Sequence, residues 1–205
     1  MITLLTNKKL LTFYSFFIKV IFKCYGIKVG KKFYIEGIPK LKILGKRDNI
    51  SIGNNVNIMG NIDLRNRENG KIIIKDNVTI NENVRFVASN EGVIEIGDNS
   101  IIGPNTIING GGNVIIGKKA IFAKNISINA NDHNHAKSAY IRDQGYSIAD
   151  VTIEDDVWLG ANVCVNKGVI VRQGSVVGAN AVVTKNTEPF SINVGIPAKK
   201  IKERV

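Results

Sequence analysis

Ile94-Glu95-Ile96-Gly97-Asp98-Asn99-Ser100-Ile101-Ile102-Gly103-Pro104-Asn105-Thr106-Ile107-Ile108 decides the fold, because an aliphatic residue returns in it every six positions, at Ile96, Ile102 and Ile108. The same count runs outward in both directions. Upstream it takes Ile52, Ile58 and Leu64, then Ile74, Ile80 and Phe86; downstream it takes Ile116, Phe122 and Ile128. After one interruption it resumes at Ile153, Leu159, Val165, Val171, Val177 and Val183. A second inward series sits two residues earlier, including Val56, Val78, Val157 and Val163, with small residues at Ser100, Ala120, Ser175 and Ala181. Three such hexapeptides make one triangular coil of a parallel β-helix, a repeat of roughly 18 residues. The expected fold class is therefore all-β.

Between the aliphatic positions stand Gly53-Asn54-Asn55, Lys75-Asp76-Asn77, Gly97-Asp98-Asn99, Gly160-Ala161-Asn162 and Gly178-Ala179-Asn180. Glycine, asparagine and aspartate tolerate positive φ and bond their own backbone, as a sharp corner between short strands requires. Coils are expected over residues 50–67, 72–89, 94–111, 114–131, 151–168 and 169–186, with a ragged further one over Phe33 to Leu44. One coil cannot bury its apolar side alone, so stability comes from stacking. The domain reading is a basic apolar segment over 1–32, a β-helix over 33–186 with an excursion at 129–150, and a tail over 187–205.

The chain has 205 residues and only two cysteines, Cys24 and Cys164. That usage offers no disulfide framework and suits a reducing cytoplasm. With just two histidines, a metal site is poorly supported, and none is expected. Charge is uneven: residues 1–50 carry eleven Lys and Arg against Glu36 and Asp48, so most of the formal +11 sits there. Within that segment residues 10–25 are strongly apolar but interrupted by Lys19 and Lys23. The run is too short and too charged for a span of about 20 residues, and no small-residue signal-peptide cleavage site follows it. Two readings stand: a basic, aromatic helix on a membrane surface, or a helix capping the open end of the β-helix. No nucleic-acid motif accompanies the lysines, so nucleic acid is not an expected partner.

The interruption is where chemistry is expected. From Asn129 to Asp150 the repeat stops and then returns in register, and long excursions in repeat folds tend to be functional. The chain's only histidines, His133 and His135, stand at its base. Imidazole is the side chain suited to proton transfer near neutral pH, so a catalytic role is favoured over an incidental surface histidine.

Ala123–His133, Val151-Thr-Ile-Glu-Asp-Asp-Val-Trp-Leu-Gly160, Val177–Lys185 and Val194-Gly-Ile-Pro-Ala-Lys-Lys-Ile201 together resemble the hexapeptide-repeat acyltransferases. The likeness is to the branch with galactoside, maltose and xenobiotic acetyltransferases, and above all to bacterial O-acetyltransferases of surface polysaccharides. It runs from about Lys28 to Val205. The resemblance implies a left-handed β-helix, acetyl-CoA as co-substrate, a sugar or glycan acceptor and a homotrimer with sites between neighbouring chains. It places the catalytic base on His133, as the residue that takes the acceptor hydroxyl's proton during attack on the thioester. No acyl-enzyme is implied, so Cys164 is not a required nucleophile. The N–H of Ala161 matches the oxyanion donor. Outward Trp158 and Asn105 match acceptor contacts, though Trp158 also suits packing and Asn105 is also an ordinary turn residue. Ala161, Ala179, Thr184 and Lys185 match the coenzyme channel; Lys199, with Lys200 and Lys202, is a cationic candidate for its nucleotide end.

Two departures matter. Asp132-His133-Asn134-His135 replaces a single-histidine loop, so His135 stands as a second candidate base and Asp132 as an orienting group. The N-terminal segment also lacks the helical domain of the sugar acetyltransferases. The expected function is O-acetylation of a cell-surface glycan or its lipid-linked precursor, in the cytoplasm or at the membrane's inner face. The alternatives are an N-acyltransferase on a nucleotide-linked amino sugar and a non-catalytic β-helix scaffold.

Overall fold

A computed structural model describes residues 7–205; the first six residues of the expected 1–32 segment lie outside the described residues. The chain winds into seven coils, each adding one short strand to each of three parallel faces. The first coil comprises Lys28–Val29, Tyr34–Ile35 and Pro39–Ile43, and the seventh Ile170–Val171, Val176–Val177 and Val182–Val183. The ragged coil expected over Phe33 to Leu44 is thus a full one that begins earlier, at Lys28. Its first corner hid because Lys32, not asparagine, takes the positive φ of 51° there.

All eighteen residues of the six-residue series are buried, from Ile52 at 3 % exposure to Val183 at 1 %. The earlier series is buried too: Val56, Ser100, Ala120, Val157 and Ala181 are each 0 % exposed. The corner between the second and third faces shows why asparagine recurs. Asn105, Asn125, Asn162 and Asn180 all have φ near +60°, a conformation that a short side chain bonding locally makes tolerable. Their amides form a ladder, with Nδ2 donating to the next Oδ1 at 3.1, 2.8 and 2.9 Å. Gly160 is obligatory at this corner, since a Cβ would lie 2.7 Å from Ala179 N on the next coil.

Both ends of the solenoid are covered. At the start, helix α1 (Lys8–Cys24) is capped by Asn7, whose Oδ1 accepts from Lys9 N at 3.1 Å. Its inner face buries Ser15, Ile18 and Phe22. At the other end, Ser191–Val194 extends the second face in parallel, and Lys199–Glu203 folds back antiparallel against it. The tail expected over 187–205 therefore includes two paired strands.

Candidate active site

The excursion leaves the corner between the third face and the next coil's first face, between the fifth and sixth coils. Its two ends pair as a short hairpin. Asn131–His133 pairs antiparallel with Tyr146–Ile148, placing His133 opposite Tyr146. Three glycines, Gly110, Gly111 and Gly112, make room beneath it: a Cβ on Gly112 would meet Ile148 Cγ2 at 2.6 Å. That run is a sequence signal for the hairpin's seat, legible once the corner positions are counted.

Polar bonds hold the hairpin's shape. Gln144 Oε1 accepts from Ala136 N at 2.7 Å, while its Nε2 donates to Ala136 O at 2.8 Å and Ala139 O at 2.7 Å. Asn134 Nδ2 donates to Gln144 O at 3.0 Å. Two bonds tie the hairpin to the coils: Tyr146 Oη donates to Asn90 Oδ1 at 3.2 Å, and Lys167 Nζ donates to Ser147 Oγ at 2.7 Å.

Beside the hairpin lies an open cavity of ≈ 570 Å³ lined by Asp132, His133, His135, Gln144, Ser147 and Lys167, among others. His133 is exposed, and its ring has no hydrogen-bond partner among the described residues. His135 turns back, its Nδ1 3.2 Å from His133 O. Asp132 faces the Lys167 ammonium at 3.8 Å and bonds to neither imidazole. No local pattern marks Lys167 as a site residue, because its contacts reach back some twenty positions to the hairpin and only folding brings them together. Cys164 is half-buried; burial, with the Asp132 charge adding to it, pushes its thiol pKa up. A thiol held protonated is a poor nucleophile. Among the described residues no three His, Cys, Asp or Glu side chains gather where a metal ion could sit.

The other expected residues divide between two edges of the prism. Thr184 and Lys185 follow the seventh coil's third-face strand, on the same edge as His133, with Lys167 on the turn between. Ala161, Ala179 and Asn105 lie on the next edge, across the third face. There the Ala161 N–H has no partner among the described residues, as is also true of the corner N–H groups of Lys124 and Ala179. One chain does not bring His133 and Ala161 together. Trp158 is 51 % exposed on the second face and sits in an outward column with Ile101, Ile121, Val176 and Ile192. Lys199 lies on the antiparallel strand, and its neighbour Lys200 is engaged by Glu188 at 2.5 Å and Glu203 at 3.2 Å.

The chain is similar to known proteins. Residues 150–185 match a family model described as the hexapeptide repeat of succinyl-transferase. A dTDP-4-amino-4,6-dideoxy-D-glucose acyltransferase of Escherichia coli is 33% identical over 83% of this chain and 88% of its own length. A putative lipopolysaccharide biosynthesis O-acetyl transferase of Escherichia coli strain K12 is 32% identical over 67% of this chain and 74% of its own. A probable acetyltransferase of Mycobacterium tuberculosis is 32% identical over 77% of the chain, which spans about half, 51%, of that longer relative. Among solved structures, AntD, an N-acyltransferase from Bacillus cereus crystallised with dTDP and 3-hydroxybutyryl-CoA, superposes with a TM-score of 0.59 at 21% identity, covering 91% of this chain and 88% of that one. At that identity it bears on the fold alone. Seven coils on a six-residue count, and two relatives above 30% identity matched over most of their length, place the chain in the hexapeptide-repeat acyltransferases, enzymes built on the left-handed β-helix.

Proposed function

We propose that the protein transfers an acetyl group from acetyl-CoA to a sugar hydroxyl of a cell-surface polysaccharide or its lipid-linked precursor, with His133 as general base. The observation that carries this reading is the His133 ring, exposed and unbonded among the described residues at the mouth of the hairpin cavity. A free imidazole there accepts the hydroxyl proton as the oxygen attacks the thioester carbonyl. The new C–O bond forms, the C–S bond breaks, and the proton held by His133 passes to the departing sulfur, so that CoA leaves as the free thiol and the base is restored. The unpaired Ala161 N–H stabilises the oxyanion. Lys167 and Lys185, on the same edge as His133, offer positive charge to the phosphates of the coenzyme.

His133 and Ala161 stand on different edges, so the reaction needs a second chain to bring one copy's base to another's oxyanion donor. A homotrimer satisfies this, and the outward Ile101–Ile121–Trp158 column is apolar surface suited to burial between copies. The membrane's inner face is the expected workplace, with peripheral contact through residues 10–25. No helix among the described residues is long and apolar enough to cross a membrane.

A second reading, N-acylation of a nucleotide-linked amino sugar, is supported by the 33% identical relative whose name carries that acceptor. It keeps the same base and exchanges the hydroxyl for an amine. The test is CoA release from acetyl-CoA with surface-glycan precursors or dTDP-amino sugars, comparing wild type with His133→Ala and His135→Ala. Turnover lost in His133→Ala alone, with CoA still bound, supports the base assignment. Turnover only with amine acceptors selects the second reading, and a wild type that neither binds nor releases CoA overturns both.

A further inference from the structure

Helix α1 has two faces with different partners, and only one is used by this chain. The inner face closes the free edge of the first coil. Ser15 Oγ accepts from Ile35 N at 2.8 Å, Tyr14 Oη donates to Gly37 O at 3.0 Å, and Lys19 Nζ donates to Gly30 O. Phe22 packs on Phe33 with ring centroids 5.8 Å apart. The capping reading of this segment therefore accounts for half of the helix. The outer face points away from the coils and carries Phe13, Phe16 and Phe17 at 70, 65 and 57 % exposure, with Leu10 and Val20 beside them. A helix that needed only to cap would have polar residues there.

We infer that this outer face docks on an anionic lipid bilayer and stands the β-helix on its N-terminal end, with the His133 edge held above the surface. The inference deepens the reading of a lipid-linked glycan acceptor and rests on it for the position of the acceptor. Charge selects the occupant. Helix α1 contains no acidic residue, and Lys8, Lys9, Lys23, Lys28, Lys31 and Lys32 form no ion pair among the described residues. A second copy docked on this same face would set two such cationic surfaces against each other, which side-by-side packing of the coils does not, and is opposed electrostatically. A nucleic acid would satisfy the lysines and leave three phenylalanines in water. An anionic bilayer takes both: rings enter the headgroup boundary while lysines meet the phosphates. Between α1 and the first coil an apolar recess of ≈ 460 Å³, lined by Leu10, Phe13, Tyr14, Phe17 and Ile38, enlarges the same surface.

The geometry sets a reach. Successive coils advance by the strand spacing of about 4.8 Å, and His133 lies between the fifth and sixth coils. The base then stands roughly 20 Å above the first coil, a height that suits a sugar carried on a lipid-anchored chain better than the first sugar at the headgroup.

The test is vesicle flotation of the full chain, with phosphatidylcholine alone or with about 30 % phosphatidylglycerol, at about 0.1 M and about 0.5 M salt. Wild type is expected to float with anionic vesicles at low salt and to release at high salt. The exposed triple changes F13S/F16S/F17S and K8Q/K9Q/K23Q are each expected to weaken partition about tenfold or more, with melting temperature and CoA binding unchanged. Brominated lipid reads the orientation, since Trp158 is the sole tryptophan and lies on the sixth coil: its fluorescence stays unquenched if the β-helix stands on end. Flotation equal on neutral vesicles, no flotation, or quenching of Trp158 each overturns the inference. So does a phenylalanine variant that alters oligomeric mass without altering flotation, because the face would then be a contact between copies. His133→Ala should float as wild type does, so failure of the acyl-transfer reading would not be mistaken for failure of docking.

Discussion

The coils and the hairpin that interrupts them are built on opposite rules. A coil contributes fully buried side chains such as Phe86, Ile102 and Ile108, each 0 % exposed, and repeats one corner geometry. The hairpin from Asn131 to Ile148 contains no buried side chain; Gln144, Asn134, Tyr146 and Lys167 hold it by hydrogen bonds. The first is stable because neighbours share a core, the second because a few polar contacts outweigh water. The proposed function sits where apolar burial is absent, in the kind of segment that can open to admit a ligand.

Removing a core ring and removing the base should separate the two regions most sharply. His133→Ala should lower kcat by about 10²–10⁴ and leave the melting temperature where it was, as steady-state CoA release beside a thermal melt would show. An unchanged kcat would move the chemistry to His135 or off the hairpin. Phe86→Ala should do the reverse at a distance from the site, costing about 3–5 kcal/mol in denaturant unfolding; a loss below about 1 kcal/mol would mean that the coils are not one shared core.

A finer cut tests the hairpin's own support. Gln144→Ala removes three hydrogen bonds and should cost about 1–2 kcal/mol of local order, seen as faster exchange of the Ala136 amide and a raised KM without a shift in global melting. Coincident loss of global stability would show the hairpin to be part of the core's cooperative unit. The smallest expected effect lies on the outward side of the third face, on the second coil, away from the hairpin. The hydrogen-bonded Arg65 guanidinium, with Arg85 adding its charge, holds the Asp63 carboxyl below the usual range. Its folded pKa is depressed, so its stabilisation is full above the ordinary carboxylate pKa and is lost as pH falls through the folded value. Asp63→Asn should therefore flatten the acid limb of a stability–pH curve and leave turnover untouched.

The contrast also explains what could be read before folding. Each inward position faces a shared core, so its aliphatic character recurs from Ile52 to Val183 and exposes the period. The first corner, built on Lys32, and the C-terminal hairpin break that composition, so the six-residue count does not reach them. The candidate site was half legible. Two histidines in a break are visible by counting, and the outward direction of Trp158 follows from its place before Leu159. Whether Asp132 meets an imidazole or Lys167 is decided by a contact between segments far apart in sequence, and no local pattern encodes it. Asn105 shows the converse hazard: its place in the asparagine ladder is a sufficient structural reason for the residue.

The antiparallel strand Lys199–Glu203 has a consequence for assembly along the helix axis. A parallel solenoid offers the same template at its last coil as at every earlier one, so an uncovered coil invites the next molecule to add end to end. Here the final strand runs the wrong way for propagation and exposes Lys199, Lys200, Lys202 and Glu203 along its length, a charged edge that repels further pairing. On the second face the strand thus removes the parallel template, and a chain cut before Lys199 should be more prone to add end to end there.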